Sequence, residues 1–570
     1  MNSSINSDLS FTKTSPADDE LLFCPLGGAG EIGMNLNVYG HAGKWLMIDC
    51  GITFGDEKNT GVEIVMPDVR FIEERKTNLI GIVLTHAHED HFGAVHHLWN
   101  RLRCNIYATA FAAELLKKKL EEVGLLKKVK INLIKQNQRL DIGPFQLRLF
   151  GTTHSIPEPN SVVLKTSLGT VLHTGDYKLD PYPLIGKKTD LKAFESLGDD
   201  GVLALVGDST NSLIDGSSGS EKEVRDSLFR LVGQLKGRVV VACFASNVAR
   251  IQTIIESAER NGRSVVLSGR SLKRVTDAAK SVGYLRDVPA FIKEKEAKSL
   301  PRENVLIIAT GSQGEPRSAL SRIARDDHSH INLDEGDVVI FSSRIIPGNE
   351  RAISKLHEQL AKKLVTVITE HDHLVHVSGH PAREEIKKMY EVVRPTISIP
   401  VHGESHHLRG HAELAKSCDV PFVKEVRNGD VIALSSSGPE FIGRVHTGRL
   451  MLDGNDLISM NSNKVVKRNH MQVNGFSFLT IVIDQSGAII DTPMLAAPGL
   501  LDNEPDDIRI KNLIIEGILV LIDDLPPRDL RDDEVLVQKI EEKVLKGFKR
   551  LKRKSPSIEV HLVRVKGREL

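Results

Sequence analysis

Four side chains of metal-ligand type fall within six residues of this chain, at His86, His88, Asp90 and His91. They follow Leu79-Ile80-Gly81-Ile82-Val83-Leu84, an apolar run that reads as a buried strand. Alternate residues of an extended chain share a side, so His86 and His88 can grip one ion together. Beyond them the period changes. Phe92, Val95, Leu98 or Trp99, and Leu102 mark one face of a helix, with Asp90 as the expected cap. That change of geometry turns Asp90 and His91 away from the first pair and suits a second ion close by. Imidazole and carboxylate donors without thiolate favour zinc or manganese, and open coordination positions make such a site catalytic rather than structural. A lone loop histidine is usually ordinary; four such donors at this spacing after a strand are not.

Other donors stand at the ends of other apolar runs. Asp49 ends Trp45-Leu46-Met47-Ile48, and a buried carboxylate there needs a partner, for which the second nitrogen of a ligand histidine is the natural one. His154 lies in the loop after a strand at 145–150, and Asp176 lies just past one that begins at Thr170. Strand, loop and donor recur, as they do when a centre is assembled on the rim of a sheet. Between residues 21 and 51, short apolar runs alternate with glycine turns and read as antiparallel strands. Gly27-Gly28-Ala29-Gly30 resembles a dinucleotide loop, but no helical pattern follows it. A lysine-rich helix is expected over 112–123 and a strand over 131–134.

The texture changes at about residue 202. A strand ends in Asp208, and a glycine- and serine-rich linker, 215–220, leads to a helix with a capping-box signature at Ser220 and Glu223. Strands at 238–244, 264–267, 305–309 and 338–342 then alternate with helical patterns, which predicts an inserted α/β domain with a mainly parallel sheet. Site-like residues resume at His371, His373 and His376, then Ser378-Gly379-His380 and Pro400-Val401-His402-Gly403-Glu404. A linker with little periodicity is expected over 453–470. The last hundred residues predict a small α+β domain, with strands at 479–484, 519–522 and 558–565 and a basic helix over 532–554. The Lys549-Arg550 and Lys552-Arg553-Lys554 cluster fits phosphate contact or a solvated helix end equally well.

Composition sets the class. The chain has 570 residues, enough for several domains, with 40% hydrophobic and 26% charged residues, as in ordinary globular proteins. No run approaches the roughly 20 apolar residues of a membrane span, so no membrane partner is expected. The polar first seventeen residues read as a disordered tail rather than a secretory signal. Five scattered cysteines without a CxxC pair point to a reducing cytoplasm. With zero formal net charge, binding to nucleic acid would need a local basic groove.

His86-x-His88-x-Asp90-His91, with Asp49 before it and His154 and Asp176 after it, resembles the motifs of the metallo-β-lactamase superfamily in their usual order. Asp208, His380 and His402 resemble the additional motifs of the β-CASP nucleases. Phe244-Ala245-Ser246-Asn247, Thr310-Gly311-Ser312-Gln313-Gly314-Glu315-Pro316, Phe341 to Glu350 and Pro400 to Glu404 are similar to bacterial ribonuclease J, as is Gly30 to Asn35. The resemblance runs from about residue 20 and is thinnest after 455. It implies an αββα metallo-β-lactamase sandwich (18–212 and 361–452) interrupted by a β-CASP domain (213–360), with an α+β domain at 471–570 after the linker.

The resemblance also implies two zinc ions per subunit, with manganese or magnesium as alternatives. His86, His88 and His154 would hold one ion and Asp90, His91 and His402 the other. Asp176 would bridge them, with Asp49 orienting ligands from behind. Two such ions would raise a nucleophile from water and offset charge on a phosphodiester. His380 is the expected proton donor to the leaving oxygen, with Asp208 orienting it. The implied activity is 5′-to-3′ exonuclease action favouring a 5′-monophosphate, with endonuclease action on single-stranded RNA, in mRNA decay and rRNA maturation. Ser342, Ser343, Ser378, Gly379 and His380 form a candidate phosphate pocket, although serines at such positions also merely cap turns. The family further implies a homodimer or homotetramer and partners in an RNA degradation complex.

Three alternatives belong to other classes. A small-molecule hydrolase has no need of the inserted domain. A DNA-directed β-CASP nuclease is disfavoured because, within the family, a histidine at the last motif (here His402) goes with RNA. An inactive RNA-binding subunit would normally have lost ligands, and every motif position here is filled.

Overall fold

The computed structural model describes residues 10–55 and 62–565. The chain divides into two compact units, Met1–Thr53 with Val65–Arg449 and Phe54–Ile64 with Leu450–Leu570.

In the first unit two sheets face each other. One has eight strands, ordered Gly438–Arg444, Asp430–Ser435, Leu21–Gly27, Leu36–His41, Lys44–Ile48, Leu79–Val83, Ile106–Ala108 and Ile131–Leu133. The other has seven, ordered Arg139–Ile142, Phe145–Gly151, Asn160–Thr166, Gly169–His173, Ala204–Asp208, Ile397–Val401 and Phe422–Val423. Phe23, Tyr39, Ile48 and Val83 from the first interleave with Leu147, Val162, Val206 and Ile399 from the second in one buried core. The helices Leu191–Asp199, Arg383–Val393 and Ser405–Ser417 cover the outer face of the second sheet through Phe194, Ile386, Met389 and Leu414. Each sheet is antiparallel at one end and parallel at the other. The parallel pairs run in the same direction into loops, and those loops carry the donors.

The insertion forms a five-stranded sheet, ordered Ser264–Ser268, Val305–Ala309, Val239–Ala242, Val338–Phe341 and Thr366–Ile368. Every pair in it is parallel, and both faces are covered, so its strands are continuous apolar runs. The last strand lies beyond the boundary expected at 360. It is three residues long and only Ile368 is buried, too little to register as a pattern. Ser220 and Glu223 do close a capping box at the start of Glu221–Gln234.

Part of the expected tail is docked. The Phe11 amide donates to the Arg444 carbonyl at 2.8 Å, the Phe11 side chain is buried near Phe71, and the Trp45 indole donates to the Thr14 carbonyl at 3.2 Å. One aromatic anchor is enough to hold a polar stretch whose composition alone reads as disordered. Residues 1–9 lie outside the described residues.

The second unit carries a three-stranded sheet, ordered Ile489–Ala496, Phe476–Ile483 and Ser557–Arg564, under the helices Pro505–Asp524 and Asp533–Lys552. Its core joins Leu479, Ile481 and Ile483 to Ile514, Ile518, Ile522, Ile540 and Phe548. Residues 519–522, expected as a strand, are the last turns of a helix. A short apolar run fits either state, but Ile514, Ile518 and Ile522 recur at a spacing of four and bury one helical stripe. The expected linker contains the helix Asn463–Asn474, whose only buried side chain is Val465, so it shows almost no periodicity to read. Among the described residues no helix is long and apolar enough to cross a membrane.

Candidate metal centre

Strand register puts the first pieces of the site together. Ile48 pairs in parallel with Val83, so Asp49, one step on, meets Thr85. Asp49 accepts the Thr85 amide on Oδ1 and the Thr85 hydroxyl on Oδ2, both at 2.8 Å. Its backbone is left-handed at φ 63°, a conformation that costs a non-glycine residue about 1–3 kcal/mol. The bonds from Thr85, and a third from His91 Nδ1 to Oδ2 at 2.7 Å, hold it there. Gly51 follows because a Cβ would lie 1.6 Å from the Asp90 carbonyl oxygen. The neighbouring Cys50 amide donates to the His91 carbonyl at 2.6 Å, which pins the ligand turn to the strand end.

That turn is the short helix Glu89–Phe92, separate from Val95–Leu102. His88 rather than Asp90 occupies the capping position. Asp90 lies in the first turn instead, which leaves its carboxylate free for the centre.

Three groups of donor atoms, each with all members within 4.8 Å of one another, share Asp176. The first is His86, His88, His154 and Asp176; the second is Asp90, His91, Asp176 and His402; the third is Asp176, Asp208, His380 and His402. In the first, His88 Nδ1 lies 3.0 Å from His86 Nε2 and 3.0 Å from His154 Nε2. The opposite nitrogens of the latter two are committed as donors. His86 Nδ1 meets the Thr85 hydroxyl at 2.9 Å, whose own proton goes to Asp49, and His154 Nδ1 donates to the Gly379 carbonyl at 2.5 Å. Lone pairs therefore converge, an arrangement that repels itself unless a cation sits among them. Burial drives His88 down to about 3 and also lowers His86 and His154, with adjacent imidazoles adding to the fall, so all three favour the neutral, ligating form.

In the second group His91 Nε2 stands 3.1 Å from Asp176 Oδ2 and 3.5 Å from Asp90 Oδ2, and His402 Nε2 stands 3.5 Å from Asp176 Oδ1. Asp176 Oδ1 is buried without a hydrogen-bond partner. An orphaned carboxylate oxygen amid imidazoles fits a divalent cation. Burial opposes the charged carboxylate, but the histidines around it hold Asp176 well below the usual range. His402 arrives from a distant part of the chain, on a left-handed backbone at φ 53°. Its amide donates to the Gly28 carbonyl at 2.7 Å, and Ala29 pairs in parallel with Gly403.

His380 Nδ1 lies 2.9 Å from Asp208 Oδ2 and 3.7 Å from Asp176 Oδ2. Burial disfavours its charge, but Asp208 and Asp176 more than offset this and raise it to about 9. The Nδ1 proton is directed at Asp208, which leaves Nε2 for an incoming group.

Of the candidate phosphate residues, Ser378 and Gly379 adjoin the centre. Ser378 Oγ accepts from Asn211 Nδ2 at 2.7 Å and from the His380 amide at 3.2 Å. Ser342 is placed differently. It is buried, and its hydroxyl proton goes to the Val375 carbonyl at 2.7 Å, so it has none to offer a phosphate. Ser343 is also buried.

Family profiles match the chain in three consecutive stretches: the metallo-β-lactamase superfamily over 34–241, the ribonuclease J β-CASP domain over 236–360, and the Zn-dependent metallo-hydrolase RNA specificity domain over 365–426. The chain is 40% identical over 552 residues to ribonuclease J of Sinorhizobium meliloti, covering 96% of this chain and 98% of that one. The chain belongs to the ribonuclease J family. Ribonuclease J of Corynebacterium glutamicum is 35% identical over 94% of this chain and 74% of its own length; that of Helicobacter pylori is 32% identical over 94% and 78%. A solved protein of unknown function from Enterococcus faecalis superposes with a TM-score of 0.51 at 14% identity, over 73% of this chain and 100% of that one, a likeness of fold alone.

Some residues of this ribonuclease J family member escape a reading by donor spacing. Asn35 Nδ2 lies 3.1 Å from His91 Nε2 and donates to the Asp90 carbonyl at 3.2 Å. Asn211 Nδ2 reaches the His380 carbonyl at 3.1 Å. Asn35 stands in the motif beginning at Gly30, the only signal that marks it. His173 belongs to no donor group; it meets the Tyr39 hydroxyl at 3.1 Å, and burial lowers it to about 4. His376 belongs to no donor group either and has no hydrogen-bond partner for its buried Nδ1; burial and the nearby Arg250, Lys178 and Arg344 keep it neutral.

Proposed function

We propose that this chain, a metal-dependent ribonuclease by family, hydrolyses single-stranded RNA at a centre of two divalent ions, zinc in the first instance and manganese or magnesium as substitutes. His86, His88 and His154 would hold one ion and Asp90, His91 and His402 the other, with Asp176 available to both. When bound, the ions supply a nucleophile from water at neutral pH and offset the charge that builds on the phosphate. The protein does the rest. Asp49 fixes the tautomer and angle of His91, and the Gly379 carbonyl does so for His154. His380, held protonated by Asp208, gives its Nε2 proton to the departing 3′-oxygen, a contribution of about 10²–10⁴-fold.

The reaction begins at a 5′-monophosphate end and proceeds 5′ to 3′, with internal cleavage as a second mode. Ser378 and Gly379, next to His380, make the pocket for the terminal phosphate, with Ser343 as a further contact. The protein works in the cytoplasm, as a homodimer or homotetramer and in company with other RNA-degrading proteins, in mRNA decay and rRNA maturation.

The observation that carries this reading is the placement of one carboxylate, Asp176, in all three donor groups, with His380 Nδ1 3.7 Å from its Oδ2. The test uses 5′-labelled single-stranded RNA bearing a mono- or triphosphate, beside a matched DNA. Mononucleotide release from the monophosphate RNA alone is expected; equal release from DNA would overturn it.

A further inference from the structure

Arg250 is fully buried, carries charge, and touches neither the metal donors nor open solvent. It lies in the inserted domain, in the first turn of Val248–Arg260, and each of its three guanidinium nitrogens donates a hydrogen bond. Nε and Nη2 form a fork on Glu221, at 3.1 Å to Oε2 and 2.9 Å to Oε1. Nη1 donates to the Ser342 hydroxyl at 2.7 Å, the Ser342 carbonyl at 3.1 Å and the Val375 carbonyl at 2.8 Å. Val375 receives a second bond, from Ser342 Oγ at 2.7 Å. Two donors thus converge on the carbonyl that begins the segment 375–380, whose far end carries Gly379 and His380.

The same pair reaches the centre from the other side. The Glu221 amide donates to Asp180 Oδ2 at 3.0 Å, and the Asp180 amide donates to Thr153 Oγ1 at 3.1 Å. Thr153 precedes His154, and His154 Nδ1 returns to the Gly379 carbonyl. The bonds close a ring: His154, Thr153, Asp180, Glu221, Arg250, Val375, Gly379 and back to His154. A small cavity lined by Thr153, His154, Asp180, Glu221 and Ala249 lies along it.

We infer that Arg250 is a positioning residue for the reaction: with Glu221 and Ser342 it clamps the start of segment 375–380, so that the inserted domain sets where His380 stands relative to the metal ligand His154. A buried ion pair contributes little net stability against an apolar replacement, whereas it fixes geometry well because few arrangements satisfy both charges. Lysine keeps the charge of Arg250 but cannot supply the fork and the Val375 bond together. The inference rests on the reading of His380 as proton donor, and the experiment separates the two.

Steady-state kinetics on 5′-monophosphorylated RNA are measured for R250K, S342A, H380A and the double variants R250K/H380A and S342A/H380A, with metal content and hydrogen exchange on each protein. R250K is expected to lower kcat about 100-fold, the scale of a misplacement of about 1 Å, with a smaller rise in KM because Ser378 and Gly379 ride on the same segment. S342A, which removes one of the two donors to Val375 and one acceptor of Arg250 Nη1 but leaves the fork on Glu221 in place, is expected to lower it on the order of 10-fold and serves if R250K does not fold. In the H380A background neither change should cost much more in kcat, since the proton donor they position is gone, and only the effect on KM should remain. Exchange should rise over 375–381 while the strand Val239–Ala242 stays protected and metal content holds. Losses that add fully to that of H380A, or exchange that rises across the whole inserted sheet, would overturn the inference. Full activity of H380A alone would instead sink the reading of His380, and the exchange data would still decide whether the clamp exists.

Discussion

The two main donor groups are built on opposite principles. The first is almost entirely imidazole, and two of its three histidines come from residues 86 to 88 of one loop, set by a single strand. The second mixes two carboxylates with two histidines, one of which enters more than 300 residues later on a left-handed backbone and has no partner for its Nδ1. His86, His91 and His154 each have a firm partner on the non-ligating nitrogen; His402 depends on its backbone bond to Gly28. The first group is braced at His86 and His154; the second is braced at His91 but lightly held at the remote His402. Affinity and vulnerability should divide along that line.

The largest break comes from the shared residue. Asp176→Ala should collapse both groups, lowering turnover on the order of 10⁴-fold or more and reducing bound metal well below that of any other single variant. Elemental analysis beside a turnover assay checks this; retention of both ions would mean that Asp176 bridges nothing. His402→Ala should spare the first group and empty the second, leaving about half the metal and about 10³-fold less activity. If the first group lost its ion equally, the division between the groups would fail.

Asp49→Asn sharpens the contrast at smaller scale. Its direct ligand contact is with His91 and it reaches His86 only through the Thr85 hydroxyl, so a chelator should strip one ion at about 10–100-fold lower concentration while the other weakens less. The smallest effect is expected from Asn35→Ala, which removes bonds from the edge of the second group only. A weakening of up to about 10-fold in the affinity of that one ion is consistent with one lost hydrogen bond.

What the sequence made legible follows the same division. Donors within a few residues of one another announce themselves, because strand period and helix start fix which side chains share a side. His154 and Asp176 were legible as donors after strands, but their convergence on His88 depends on which strands are neighbours. His402 was reachable only through a family pattern, since nothing local separates it from His406 or His407. Arg250 left no local signal at all: its partners lie 29, 92 and 125 positions away. The errors are equally physical. Residues 519–522 were too short and too uniformly apolar to distinguish strand from helix, and the helix Asn463–Asn474 lacks the apolar stripe that would have revealed it. Ser342 looked like a phosphate ligand by residue type, yet its proton is already given to the Val375 carbonyl.

The bond between the His402 amide and the Gly28 carbonyl ties the start of the first unit to a residue made some 370 positions later. A chain still growing on the ribosome has no His402 and hence no complete second group. The second group is therefore completed only after residue 402 has been made and has folded back onto residue 28.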